Sequence, residues 1–192
     1  VAAVNHGKWV DSVLMTISVF GISAPAFWIA IILQIVICLK FNLLPLSGID
    51  SFKSFILPGI ALGTRYAASI ARITRTSMLD VLSQDYIRTA EAKGLKGWVV
   101  TIKHALRNAL IPIITIAGSD LGNILTGSVL VESVFSIPGI GKMLVDSINT
   151  RDLPIVQGGV MYIAVICVIM YLVVDLLYTV VDPRIRLGKE SS

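Results

Sequence analysis

The stretch from Ser12 to Leu39 contains no Asp, Glu, Lys or Arg. A helix needs about 20 apolar residues to cross the hydrocarbon core of a bilayer, so this stretch is long enough to span with some tilt. Charged residues make up only 15% of the chain, and the AVILMFWYC set makes up 55%. Soluble domains average about 25% charged residues, so the composition excludes an ordinary soluble domain and a disordered chain.

Three further apolar stretches follow, over residues 55–77, 108–131 and 153–181. Together with residues 12–39, they predict four transmembrane helices and an all-α polytopic membrane bundle. The only cysteines, Cys38 and Cys167, lie inside apolar stretches, which is typical of buried small residues and excludes a disulfide scaffold.

The basic residues favour one orientation of the four predicted spans. Alternating spans place both termini and the 78–107 loop on one side, and that side holds eleven of the 16 Lys and Arg residues: Lys8, Arg72, Arg75, Arg88, Lys93, Lys96, Lys103, Arg107, Arg184, Arg186 and Lys189. Cytoplasmic loops carry the excess of positive charge, so both ends of the chain are predicted to be cytoplasmic. The same asymmetry explains the basic composition without a nucleic-acid partner.

The 78–107 loop is too charged to span a membrane and is rich in helix-forming residues. Asp80 or Ser83 is a candidate cap for a first short helix, and Lys93 followed by Gly94 is a typical helix end. A second short helix is predicted over residues 98–106. Two interpretations remain open: a docking element for a partner protein, or an amphipathic hairpin that lies on the membrane surface.

The loop resembles the cytoplasmic loop of ABC importer permeases, most closely the dipeptide/oligopeptide/nickel branch. The general Glu-Ala-Ala motif of that loop is matched only in part, because counting back from Gly94 places Arg88, Thr89 and Ala90 at its first three positions. Ten residues after Gly94 stands His104 rather than Ile. The residues that carry the resemblance are Asp85, Tyr86, Arg88, Thr89, Ala90, Ala92, Lys93, Gly94, Leu95, His104, Arg107, Asn108 and Pro112.

Further segments are similar to the same branch, in order along the chain. They include residues 23–28, the Glu132 to Gly141 segment with Phe135, Pro138 and Gly139, and residues 175–186. The resemblance implies a partial transmembrane domain over residues 1–182 and a cytoplasmic tail over 183–192. Permeases of this branch carry two more spans before the region seen here, and the chain begins without Met, so we expect an N-terminally incomplete chain.

The resemblance also implies function and partners. We expect a permease subunit that moves peptides, nickel or another small solute through a prokaryotic plasma membrane. The implied partners are a second permease subunit, two ATPase subunits that bind ATP and Mg, an extracytoplasmic substrate-binding protein and membrane lipid. The sequence contains no P-loop and no nucleophile elbow, and neither His6 nor His104 has further ligands at metal-binding spacing. We therefore expect no catalytic residue, cofactor or metal in this chain.

Four charged residues are candidates for the translocation path: Arg65, Arg72, Asp120 and Glu132. The two arginines either line the path or pair with Asp120 and Asp175, because charges inside a membrane usually find a partner. Asp120 either meets a substrate group or packs between helices, with Gly118 and Gly122 at GxxxG spacing.

The 132–152 segment is too polar to span and is predicted to lie outside. It either forms an outer gate and receptor surface, with Phe135, Pro138, Gly139 and Gly141, or is a simple connection. Two other function classes remain open. A secondary transporter or channel would favour internal repeats, and none is visible. An intramembrane enzyme would need a catalytic pair such as Asp120 with Asp175.

Overall fold

The computed structural model describes residues 1–125 and 128–181. The predicted tail over 183–192, with Arg184, Arg186 and Lys189, lies outside the described residues. Within them the chain is helical and contains no β-strand, which confirms the predicted all-α class. The main helices are α1 (Trp9–Ser23), α2 (Ala26–Leu33), α3 (Ile56–Leu82), α4 (Asp85–Ala92), α5 (Gly97–Val99), α6 (Arg107–Leu125), α7 (Val129–Val134), α8 (Ile140–Asn149) and α9 (Leu153–Val181).

The predicted first span, over residues 12–39, is bent rather than straight. Helices α1 and α2, the latter extended by a π-helix over Gln34–Lys40, meet at an angle of 100°. Pro25 precedes α2, and Ala24 has an extended backbone with ψ 125°. Proline has no N–H to continue a helix and pushes the residue before it out of the α region, so this pair of residues breaks the apolar stretch.

Two helices within the described residues are long and apolar enough to cross a membrane, over 97–124 and 153–177. The bent pair of α1 and α2 makes a third if it counts as one span. Helix α3 covers the predicted second span but is not among them, because Arg65 and Arg72 lower its hydropathy. The number of four transmembrane spans therefore stays a prediction.

The structure changes the boundaries of the predicted third span. Helix α6 ends at Leu125, short of the predicted residue 131, and Ser128 has an extended backbone before α7. At the other end, α5 and a π-helix over Val100–Leu106 run directly into α6. The expected second short helix over 98–106 is therefore the beginning of the same continuous helix rather than a separate element.

Helix α3 is the centre of the bundle, because it packs against α1, α2 and α6, and α6 packs in turn against α9. Two clusters of buried residues lie at opposite ends of α3. The α7 cluster joins Ala30, Cys38, Leu57, Ala61, Val131 and Phe135. The α4 cluster joins Ala3, Met78, Ile87, Ala90, Val100, Ala105 and Ala109. Many large apolar side chains of α1, α2 and α9 stay exposed, as expected of surfaces that face lipid or another subunit.

Candidate functional site

The α4 segment, residues 85–106, lies on the α4 cluster through four buried side chains: Ile87 and Ala90 of α4, and Val100 and Ala105 of the helix that follows. Helix α4 begins after Gln84, so neither Asp80 nor Ser83 caps it: Asp80 lies inside α3 and Ser83 follows its last residue. The segment's other predicted docking residues on α4 are exposed: Asp85, Tyr86, Arg88, Thr89, Ala92, Lys93, Gly94 and Leu95. The segment is thus held to the bundle by its buried side chains, and its remaining side chains are exposed.

The end of α4 confirms the predicted helix stop. Gly94 has φ +77°, its N–H donates to the Glu91 carbonyl over 2.8 Å, and the Leu95 N–H donates to the Ala90 carbonyl over 3.4 Å. This pair of hydrogen bonds around a left-handed residue is the Schellman arrangement, which favours glycine. Gly94 therefore sets the direction in which the chain leaves α4.

The rest of the predicted docking set lies on the continuous helix that follows. His104 is half-buried in the π-helix, whereas Arg107 and Asn108 are exposed, and the Asn108 amide donates to the His104 carbonyl over 2.7 Å. Pro112 lies inside α6. Tyr86, Leu95 and Trp98 are respectively 43%, 41% and 65% exposed.

A polar cavity of about 420 Å³ lies between α1, α3 and α6. It brings together three of the four predicted path residues, Arg65, Arg72 and Asp120, with Ile22, Tyr66, Ser69 and Asn123. A smaller cavity of about 160 Å³ shares Arg65, Tyr66 and Asn123 and reaches Ser128 before α7. The polar residues of the second and third predicted spans therefore share one space.

In the described part of the chain the pairing of the arginines is incomplete, because Arg65 interacts electrostatically with Asp120 but lies beyond ion-pair distance of it. Neither Arg65 nor Arg72 forms an ion pair there, and Asp175 is exposed on α9. The Oδ2 atom of Asp120 is buried and has no hydrogen-bond partner among the described residues.

The two glycines beside Asp120 do different things. A Cβ on Gly118 would lie 2.0 Å from Cγ2 of Val174, so this glycine permits close packing of α6 on α9. A Cβ on Gly122 would meet no atom of the described residues within 4 Å. Only the first half of the predicted GxxxG contact is therefore present.

The fourth predicted path residue, Glu132, does not line this cavity. Its carboxylate accepts hydrogen bonds from the Ser128 N–H over 3.1 Å and from the Lys142 N–H over 2.7 Å. Lys142 lies in the first turn of α8, whose N–H groups have no partner within the helix. Glu132 thus joins α7 to α8.

The α7–α8 segment, residues 128–149, also contains the predicted gate residues Phe135, Pro138, Gly139 and Gly141. A Cβ on Gly139 would lie 2.3 Å from the carboxylate carbon of Glu132, and one on Gly141 would lie 3.1 Å from its Oε2. Phe135 is 2% exposed in the α7 cluster. Pro138 and Gly139 instead line an open cavity of about 590 Å³ beside α8. The Glu-x-x-Phe-x-x-Pro-Gly-x-Gly pattern therefore describes a turn that Glu132 holds together and that Phe135 anchors on α2 and α3.

The sequence as a whole matches a family of known proteins. A family model described as "binding-protein-dependent transport system inner membrane component" matches residues 1–187. The chain belongs to this family. Its helical bundle and its apolar helices agree with the membrane location that the family's description gives.

Relatives of the permease include the glutathione transport system permease protein GsiC of Escherichia coli strain K12, which is 46% identical over 186 residues. The same protein from Shigella flexneri serotype 5b is 46% identical, and that of Salmonella choleraesuis strain SC-B67 is 45% identical over 185 residues. The alignments cover 96–97% of this chain but only 60–61% of the relatives. The permease chain thus spans about three fifths of their length.

The sequence reasoning missed one buried ion pair in the permease. Asp11 is 4% exposed, and its carboxylate accepts from Arg75 Nε over 2.6 Å and from Arg75 Nη2 over 2.7 Å. The Gly7 N–H and the His6 ring lie within 3.2 Å of the same carboxylate. The pair fixes the beginning of α1 to the last third of α3. Its only sequence signal is that Asp11 immediately precedes the uncharged stretch.

Proposed function

We propose that this chain is a permease subunit of an ATP-driven importer that moves peptides through the plasma membrane. Membership of the binding-protein-dependent family and 46% identity to a glutathione transport permease support the proposal. Nickel or another small solute is the alternative cargo. In this proposal two partner ATPase subunits bind ATP and Mg, and this chain forms part of the membrane passage. A second, different permease subunit and an extracytoplasmic binding protein complete the importer.

The α4 segment carries the coupling part of the proposal. Its apolar side is anchored on the α4 cluster by Ile87 and Ala90, while Tyr86, Leu95 and Trp98 stay exposed on the other side. Exposed aromatic and apolar side chains on a segment whose other side is packed on the bundle are suited to a protein–protein contact. An ATPase that moves α4 would also move the ends of α3 and the 97–125 helix, because both pack on the same cluster.

The orientation follows the basic residues. Both ends of the chain and the α4 segment face the cytoplasm, where the ATPases are, and the α7–α8 segment faces outward to the binding protein. In this arrangement the 590 Å³ cavity beside α8, with Pro138, Lys142, Asp146 and Asp152, is open to the receptor side.

The variant Gly94→Val tests the coupling role. A β-branched residue is strained at φ +77°, so the chain should leave α4 in the wrong direction. We expect normal membrane insertion and a stability loss of about 1–2 kcal/mol, but poor co-purification of the ATPases and no transport. The measurements are ATPase co-purification and ATP-dependent uptake into vesicles.

Gly97→Val is the matched control. Gly97 begins α5, its backbone does not have positive φ, and an added Cβ would meet no atom within 4 Å. This control should keep ATPase binding and transport. Normal co-purification and uptake in Gly94→Val would contradict the coupling role and favour a surface hairpin. Absence of both from the unaltered chain would favour a secondary transporter or channel.

A further inference from the structure

The two arginines of α3 occupy a position that needs an explanation. Arg65 and Arg72 lie two helical turns apart on the same face of α3, and both are exposed in this chain. No ion pair neutralises either of them in residues 1–125 and 128–181. Arginines inside a span that have no partner face a water-filled space rather than lipid.

That space is the 420 Å³ cavity, and its lining is polar on several sides. Tyr66 and Ser69 come from α3, and Asp120 and Asn123 come from α6. Small-molecule sites have volumes of about 300–1,000 Å³, so the cavity is large enough for a small solute. Two guanidinium groups and one carboxylate give it a net positive charge when Asp120 is ionised.

Asp120 does not take part in the close contact between α6 and α9. Gly118, two residues earlier, makes the close contact with Val174 of α9. Successive residues of a helix are 100° apart, so Asp120 lies on nearly the opposite face, toward α3. There it lines the cavity, and its Oδ2 atom has no hydrogen-bond partner among the described residues.

We infer that this cavity is a binding site for a zwitterionic solute, with Arg65 and Arg72 binding its carboxylates and Asp120 binding its ammonium group. The inference rests on the proposed import function and narrows its cargo to carboxylate-bearing peptides. Guanidinium groups bind carboxylates through paired, charge-assisted hydrogen bonds. A bare divalent cation is disfavoured, because two of the three charged groups repel it.

Equilibrium binding tests the site without transport. The assembled permease in nanodiscs is titrated with trialanine, its C-terminal amide and its N-acetyl derivative, with nickel chloride as a cation probe. We expect the free acid to bind about tenfold more tightly than the amide, and free trialanine to bind about tenfold more tightly than the N-acetyl derivative. Nickel should bind more weakly than any of the three.

The variants separate the two ends of the solute. Arg65→Gln and Arg72→Gln should each reduce the preference for the free acid over the amide, and Arg72→Lys should restore part of it. Asp120→Asn should abolish only the preference over the N-acetyl derivative. Lys53→Gln and Asp50→Asn remove the same charges outside the cavity and should leave both ratios unchanged.

Three results would overturn the assignment: no saturable binding of any peptide, equal binding of acid and amide by the unaltered permease, or equal loss of both preferences in every cavity variant. The proposed import function fails differently, through absence of ATPase co-purification and ATP-dependent uptake in the unaltered permease. An importer that retains both but shows no acid preference leaves the proposed function standing and removes only this site.

Discussion

The α4 segment and the α7–α8 segment are both polar interruptions between apolar helices, yet they are built in opposite ways. The α7–α8 segment is tied together by Glu132, which accepts from two backbone N–H groups within it, and is held to α2 and α3 through the buried Phe135. The α4 segment has no carboxylate that ties its backbone together in this way; it buries Ile87, Ala90, Val100 and Ala105 in the α4 cluster and leaves Tyr86, Leu95 and Trp98 exposed. A segment whose own carboxylate ties its backbone together keeps a fixed turn, whereas one with exposed aromatic and apolar side chains is suited to a partner.

The glycines of the two segments show the same difference. Gly94 is required for its backbone conformation, because its φ is +77°. Space is not the reason, since an added Cβ would meet no atom of the described residues within 4 Å. Gly139 is required for space, since its backbone is extended with φ −91° but a Cβ would collide with the Glu132 carboxylate. A glycine in a loop therefore has two distinct physical meanings, and the sequence alone does not separate them.

The largest effect is expected for Gly139→Ala. The added methyl group would lie 2.3 Å from a carboxylate carbon that two hydrogen bonds hold in place, so either the helix start or the glutamate must move. We expect a loss of about 3 kcal/mol in the free energy of unfolding. The loss is detected as a lower thermal midpoint of the detergent-solubilised permease.

A double variant makes the cause visible. Glu132→Ala removes the obstacle, so Gly139→Ala should cost much less in that background than in the unaltered chain. Gly97→Ala in the α4 segment adds the same methyl group into open space and should leave the midpoint unchanged. Equal cost of Gly139→Ala with and without Glu132 would show that crowding by the carboxylate is not the reason for this glycine.

The next largest effect is expected for Ile87→Ala. This side chain is 2% exposed and is the main apolar anchor of α4, so its truncation should cost about 2 kcal/mol and loosen α4 from its cluster. Tyr86→Ala, one residue earlier and 43% exposed, should leave the thermal midpoint within error. Hydrogen exchange of the α4 amides measures the loosening directly.

The Tyr86 variant then sharpens the comparison. If the exposed side of the α4 segment contacts an ATPase, Tyr86→Ala should weaken ATPase co-purification while the stability stays normal. A variant with normal co-purification and normal stability would remove Tyr86 from the contact.

Local features of this permease were readable from the sequence. The stop of α4 at Gly94 follows from a short-range rule, and the helix over Leu153–Val181 follows from an apolar run that only Asp175 interrupts. The arginines of α3 could be assigned to a polar space because their spacing and the cost of burial in lipid are both visible in the sequence. Such predictions depend on neighbours within two or three helical turns.

Features that depend on distant residues were not readable. Asp11 and Arg75 are 64 positions apart, and Gln34 donates to the Val134 carbonyl across 100 positions. The role of Glu132 as a carboxylate that joins α7 to α8 requires the turn at Pro138 to be folded first. The 100° bend at Pro25 had a local signal, but the length of the uncharged stretch outweighed it.

The smallest effect compares one carboxylate from each segment. The Glu132 carboxylate accepts hydrogen bonds from two backbone N–H groups. The Asp85 side chain, in contrast, is 97% exposed and lies 3.7 Å from Arg88, whose side chain is 76% exposed. Glu132→Gln keeps the shape but points an amide N–H₂ at one of the two donors, so we expect a loss of about 1 kcal/mol in unfolding free energy. Asp85→Asn should leave the thermal midpoint unchanged, because exposed ion pairs contribute little to stability.

The dependence on salt provides a second check of the same comparison. Raising the ionic strength should not reduce the difference between Glu132→Gln and the unaltered chain, since short bonds to backbone N–H groups are screened much less than exposed charges. Equal midpoints for both variants at low and high salt would show that the α7–α8 segment does not depend on Glu132.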